Sequence, residues 1–135
     1  MKDLNVLVIS SNENFGTLVS ETLEDAGFDS ARIHSASCYS DAEEKLGLLG
    51  KRAIVLTEPF TFDASRGKVC VSPLVEKALS SGHTPVLLRG ASLETLSVPL
   101  KMMAGAGLPS IIQSSQLMDS EVLYTELDRC YNMLD

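Results

Sequence analysis

Short apolar runs alternate five times along this chain with longer segments of helical period, a pattern that leaves few folds open. The runs are residues 4–9, 31–34, 53–56, 86–88 and 110–112. Most are too short for helices, and the richest are continuous, as strands covered on both faces require. Strand followed by helix, repeated, is the sequence form of βα units around a parallel sheet. At 135 residues the chain has the common size of one domain with one core. No linker, low-complexity stretch or internal repeat divides it, so residues 1–135 are expected to form a single domain.

Between the first two runs, Phe15, Leu18, Val19, Leu23 and Ala26 recur at three- and four-residue steps. They predict a helix with Ser11 or Asn12 as N-cap and Gly27 just past its end. A second helix begins at Ser40, with Glu43 in capping-box register, and runs through Ala42, Leu46 and Leu49 to Gly50. Ser72 and Pro73 read as N-cap and first-turn proline of a third, whose apolar face is Leu74, Val75, Ala78 and Leu79, up to Gly82. The connection before it, residues 58–71, is unusually long. Leu93, Leu96, Leu100 and Met103 predict a fourth helix, kinked or started late because Pro99 removes a hydrogen bond in its middle. The last predicted helix starts at Ser120 and places Val122, Leu123, Leu127, Cys130, Tyr131 and Leu134 on one side.

Charge and composition exclude several functions. A net charge of −7, spread over the helical segments, repels phosphate backbones and anionic lipid, so neither nucleic acid nor membrane is expected as a partner. No run approaches the length of a membrane span, and the start has no secretory architecture, so the expected location is the cytoplasm. Cys38, Cys70 and Cys130 are odd in number, far apart and without a His at ligand spacing. Reduced thiols are expected, with no metal and no cofactor. His34 and His83 read as a strand-edge and a loop histidine. Ala-Gly-Ala-Gly at 104–107 precedes a strand, whereas a dinucleotide fingerprint opens a helix. Cys38 and Cys70 have no base beside them in sequence, so catalysis is not expected.

Five βα units, a first apolar strand ending in polar residues, and a capped helix closing in Ala-Gly-Phe resemble the receiver domain of bacterial response regulators. The resemblance rests on residues 6–15, 23–28, 53–59, 85–91 and 104–113, more by architecture than by motif. It implies a doubly wound, five-stranded parallel sheet of flavodoxin-like order 2-1-3-4-5. In that family the first strand ends in two acidic residues and the third in the phosphate-accepting Asp. The fourth ends in Ser or Thr, and the fifth in Lys followed by Pro. Here Ser10 and Ser11 stand at the acidic pair, Thr57 at the acceptor and Gly90 at the hydroxyl position. Gln113 with Ser114 stands at the Lys-Pro position if the turn holds one extra residue. Pro109 and Ser110, with Gly90, fall where the family's aromatic-and-hydroxyl switch would be.

Mg²⁺ takes hard oxygen ligands in near-octahedral geometry, usually carboxylates plus phosphate oxygens, and neutral hydroxyls do not replace them. Threonine without an activating base is a poor phosphoryl acceptor. Aspartyl phosphorylation at this pocket is therefore not expected. A register slip of one would bring Glu58 to the acceptor place as a permanent charge, but it would also turn the apolar set to the wrong face. Glu13 lies in the first loop, and Asp63 reads as a turn residue. Phe60 and Phe62, in the long connection, either lid the cleft or seek a partner.

Leu96, Met102 and Met103, with Val98, Leu100 and Leu108 nearby, give the fourth predicted helix more apolar side chains than one buried face needs. The expectation is a degenerate receiver acting by phosphorylation-independent contact through the fourth helix, fifth strand and fifth helix. Leu96, Met102, Met103 and Tyr124 would meet a protein partner or a second copy. The alternative is a small-ligand sensor using the cleft at the carboxyl ends of the strands.

Overall fold

The computed structural model describes residues 3–50, 52–89, 110–113 and 119–133. In chain order they form β1 (Val6–Ile9), α1 (Glu13–Asp25), a 3-10 turn (Ser30–Arg32), β2 (Ile33–Ala36), α2 (Tyr39–Leu48) and β3 (Ile54–Thr57). There follow β4 (Phe60–Asp63), β5 (Gly67–Cys70), α3 (Ser72–Ser80), β6 (Thr84–Arg89), β7 (Ser110–Gln113) and α4 (Ser120–Met133). One sheet runs in the order β2-β1-β3-β6-β7 with every neighbouring pair parallel, and β4 with β5 makes a separate antiparallel hairpin.

The continuous apolar runs are explained by the way the core divides. Val6, Val8, Ile54, Leu56, Val86 and Leu88 pack with Val19, Leu23, Leu123 and Leu127, from α1 and α4. Leu7, Ile9, Val55 and Leu87 pack with Ala42, Leu46, Leu74 and Ala78, from α2 and α3. Alternate residues of these strands therefore bury on opposite faces. Each fully buried Leu or Ile in these layers contributes roughly 1.5–3 kcal/mol over its exposed state. Pro85 sits in β6 where its missing N–H costs little, because β7 pairs only from Val86 onward.

Several boundaries depart from the sequence reading. β2 begins two residues late, because the Asp29 carboxylate accepts the Ala31 N–H at 3.0 Å and winds 30–32 into the 3-10 turn. α2 starts at Tyr39 with Cys38 as N-cap and no side-chain cap, so the Ser40–Glu43 capping box does not form. Tyr39 is buried, with the Arg66 guanidinium 4.9 Å from its ring, and this packing sets the start. α3 has Val71, not Ser72, as its N-cap. For α1 the cap is Asn12, whose Oδ1 accepts the Phe15 N–H at 3.1 Å. His83 lies in the loop before β6, as expected, but it is buried: it is 2% exposed and its Nδ1 accepts the Ala53 N–H at 3.0 Å. The long connection 58–71 holds the β4–β5 hairpin, which was not anticipated. The fourth predicted helix, with Leu96, Met102 and Met103, lies outside the described residues, as do Gly90 and Ser114.

Candidate functional site

The carboxyl ends of parallel strands are where an open α/β sheet presents its chemistry. β1 and β3 finish flush, Ile9 opposite Thr57, so Ser10 and Glu58 leave the sheet side by side. Ser10 N–H donates to the Ala36 carbonyl at 3.0 Å, and Glu58 N–H to the Ile9 carbonyl at 3.1 Å. Both therefore continue the ladder one step past the strands. In the register that forms, Thr57 is the last paired residue of β3 and Glu58 follows it, with Ile54 and Leu56 in the layer against α1 and α4.

Glu58 nevertheless reaches the pocket by its side chain. The Ser10 hydroxyl, in a residue 3% exposed, donates to Glu58 Oε1 and accepts the Asn12 N–H at 3.2 Å. The Thr57 hydroxyl donates to the Glu58 carbonyl at 2.9 Å, and Thr57 has no exposed surface. Both hydroxyls are therefore engaged by Glu58, one by its side chain and one by its backbone. Ser11 points elsewhere: it is exposed and lines a depression of about 250 Å³ with Phe60, Thr61, Phe62 and Lys68. Gln113 ends β7, in register with Arg89. Of the six pocket residues read from the sequence, the structure thus brings together Ser10, Thr57 and Glu58 and separates Ser11 from them. Tyr124 is half-buried on α4, its ring 6.3 Å from that of Phe28.

The receiver fold implies a Mg²⁺ ion here, and the donor set does not fit one. The Glu58 carboxylate is engaged by Ser10, the Thr57 hydroxyl is buried and spent on a carbonyl, and Glu13 stands exposed on the first turn of α1. Among the described residues no three His, Cys, Asp or Glu side chains come together to hold a metal. Beside this pocket runs a groove of about 640 Å³ between α1 and β2, lined by Ser10, Glu13, Ser20, Glu24, Ser35 and Lys45 among others.

The hairpin beyond Glu58 is the part of this end that sequence reasoning missed. Asp63 closes its turn, accepting the Ser65 N–H at 2.8 Å and pairing with Arg66 at 2.8 Å. The Ser65 amide, the Arg66 guanidinium and the Ser65 hydroxyl hold the Asp63 carboxyl down to about 2. Gly67 takes φ +77°, which turns the chain back into β5. The signal was present in Phe60-Thr61-Phe62, which alternates, and in the Asp63-to-Gly67 turn, but each strand is only four residues long.

No family model matches this sequence, and no curated protein matches it. Solved structures do. The beryllofluoride-activated NtrC4 receiver domain dimer superposes with a TM-score of 0.71 at 16% identity, covering 100% of both chains. A CheY-like response regulator receiver domain from Methanospirillum hungatei gives 0.69 at 17% identity over 98% of this chain and 96% of its own. Chemotaxis protein CheY4 of Vibrio cholerae gives 0.65 at 18% identity over 95% and 98%. No helix among the described residues is long and apolar enough to cross a membrane. With a parallel β2-β1-β3-β6 core, helices α1 to α4 and these neighbours, the chain has the fold of CheY-like response regulator receiver domains.

Proposed function

We propose that this chain is a degenerate receiver in bacterial signal transduction: a doubly wound, five-stranded sheet of order 2-1-3-4-5 that works by protein contact and not as an enzyme. The observation that carries the reading is the state of Ser10, Thr57 and Glu58. The strand ends that would hold two carboxylates and a phosphoacceptor hold two buried hydroxyls, both spent on Glu58. A divalent cation has no ligand set there, and a threonine without a base has no means of taking a phosphoryl group. Signalling then depends on a standing surface. Residues 93–103, β7 and α4 would supply it, with Leu96, Met102, Met103 and Tyr124 facing a partner or a second copy. Titration with beryllofluoride and Mg²⁺, followed by amide shifts, tests the pocket. The expected result is no saturable change at Ser10, Thr57 or Glu58, and saturation at any of them overturns the reading.

The groove of about 640 Å³ supports a second reading, a small-ligand sensor, because its volume falls in the range of ligand clefts. Thermal shifts against nucleotides and metabolites decide between the two. A ligand that raises the unfolding temperature, and loses that effect in Ser10→Ala, favours the sensor.

A further inference from the structure

Strands β4 and β5 stand outside the main sheet, and among the described residues no third strand pairs with them. The Val71 N–H donates to the Pro59 carbonyl at 3.0 Å, which makes 59 and 71 a hydrogen-bonded pair. Such pairs alternate with non-bonded ones along an antiparallel ladder. In the register of the hairpin, Thr61 with Val69 and Asp63 with Gly67 are therefore the next bonded pairs. The N–H and C=O groups of Phe60 and Phe62 point away from β5, and among the described residues neither has a hydrogen-bond partner. Phe62 is 52% exposed. Natural edges are blunted by charge, proline or bulges. Here Pro59 guards only the start, and Phe60-Thr61-Phe62 carries no charge. A hairpin of two strands is by itself marginal in water, so a third strand has something to stabilise.

We infer that β4 is the pairing edge for a second copy of this chain, the two β4 strands running antiparallel about a two-fold axis at Thr61. Phe60-Thr61-Phe62 reads the same in both directions, as an isologous contact requires. Centred on Thr61, the pairing sets Phe60 opposite the other copy's Phe62, and these are the residues whose backbone groups face outward. Four N–H···O bonds form per dimer, with two cross-strand aromatic pairs beside them. A shift of one residue would oppose outward groups to inward ones and lose those bonds. This surface is separate from the one proposed above and does not rest on the reading of the pocket.

Charge and size set the character of the dimer. Two copies at −7 repel, and the hairpin is where they repel least. Asp63 is neutralised by Arg66, and the Lys68 ammonium lies 4.7 Å from the Phe60 ring. Association is therefore expected to strengthen as salt screens the remaining charge. A strand of four residues from each copy falls well short of the roughly 1,000 Å² of a stable interface, so the dimer is weak and reversible.

Sedimentation of the full chain from micromolar to millimolar concentration tests this. A monomer–dimer equilibrium that tightens with salt is expected. Phe62→Pro removes an outward N–H from each copy while leaving the Thr61–Val69 and Asp63–Gly67 bonds intact, and should weaken the dimer about tenfold. Thr61→Cys, in a chain also carrying Cys38→Ser and Cys70→Ser, should cross-link to itself, since directly opposite residues lie within disulfide reach. A monomer at every concentration with no cross-link overturns the inference. So does a dimer indifferent to Phe62→Pro and dispersed by substitutions on α4, which would assign the contact to the other surface.

Discussion

The two ends of the parallel sheet are both sealed by buried polar side chains, but with different consequences. At the amino end His83, 2% exposed, accepts the N–H of Ala53 and so ties the start of β3 to the turn before β6. Its donor is the backbone N–H of Ala53, a fully buried residue. At the carboxyl end Ser10 and Thr57 are as deeply buried, at 3% and 0%, yet they donate to a neighbouring carboxylate and carbonyl. Glu58 is only half-buried, so water can take over part of what they provide. The polar group at the amino end is therefore expected to matter more for stability than the two hydroxyls at the carboxyl end.

The widest gap between the two ends should appear on His83→Leu. The Ala53 N–H loses its acceptor, and a stranded buried donor costs about 1–3 kcal/mol in urea unfolding near pH 7.5. Burial lowers the His83 pKa below its ordinary 6.5. Above 6.5 both folded and unfolded states are neutral at this residue and its contribution is complete. As the pH falls below 6.5 the unfolded chain takes up the proton first, so the native protein loses stability until the folded value is passed. The leucine variant lacks this component, and the stability difference between the two proteins should narrow on acidification from pH 7 to 5. A difference that stays constant would mean that His83 is not buried as the neutral form.

At the carboxyl end the effects should be smaller. Ser10→Ala removes the donor to Glu58 and the acceptor of the Asn12 N–H, a loss of about 1 kcal/mol. Thr57→Val keeps the shape of a fully buried side chain and forfeits one bond to a carbonyl, so about 0.5 kcal/mol is expected from the same unfolding measurement. If Thr57→Val proved as costly as His83→Leu, the two ends would be equivalent and the contrast would fail.

What the sequence disclosed follows the same division. The parallel strands were legible because burial on both faces writes an uninterrupted apolar run, and Ser10 and Thr57 could be placed because they end such runs. His83 was not legible, since a lone histidine before a strand has no periodicity and its partner Ala53 is 30 residues away. The Ser10–Glu58 bond was equally hidden, spanning 48 residues. The start of α2 was misplaced because a capping-box pattern at Ser40 competes with burial of Tyr39, and packing prevailed. The hairpin was passed over because four alternating residues are too few to separate a strand from a loop, and its inner face packs on α2 as no local pattern announces.

The mildest expected effect belongs to that hairpin, and it tests whether the carboxyl end carries a unit that opens independently. Asp63 is ionised down to about 2 because the Ser65 amide and Arg66 favour its charged form. For a carboxylate whose folded value is depressed, the stabilisation is present above the unfolded value near 3.9 and is lost as pH falls toward the folded one. Between pH 4 and 2 the turn should therefore loosen. Amide exchange at Thr61 and Val69 should accelerate there before exchange at Val8 or Val55 does, because those groups lie in the covered sheet. Asp63→Asn should bring the same acceleration to neutral pH while leaving Val8 and Val55 protected. Simultaneous loss at all four positions would show instead that hairpin and sheet unfold as one, and that the two ends differ only in which bonds seal them.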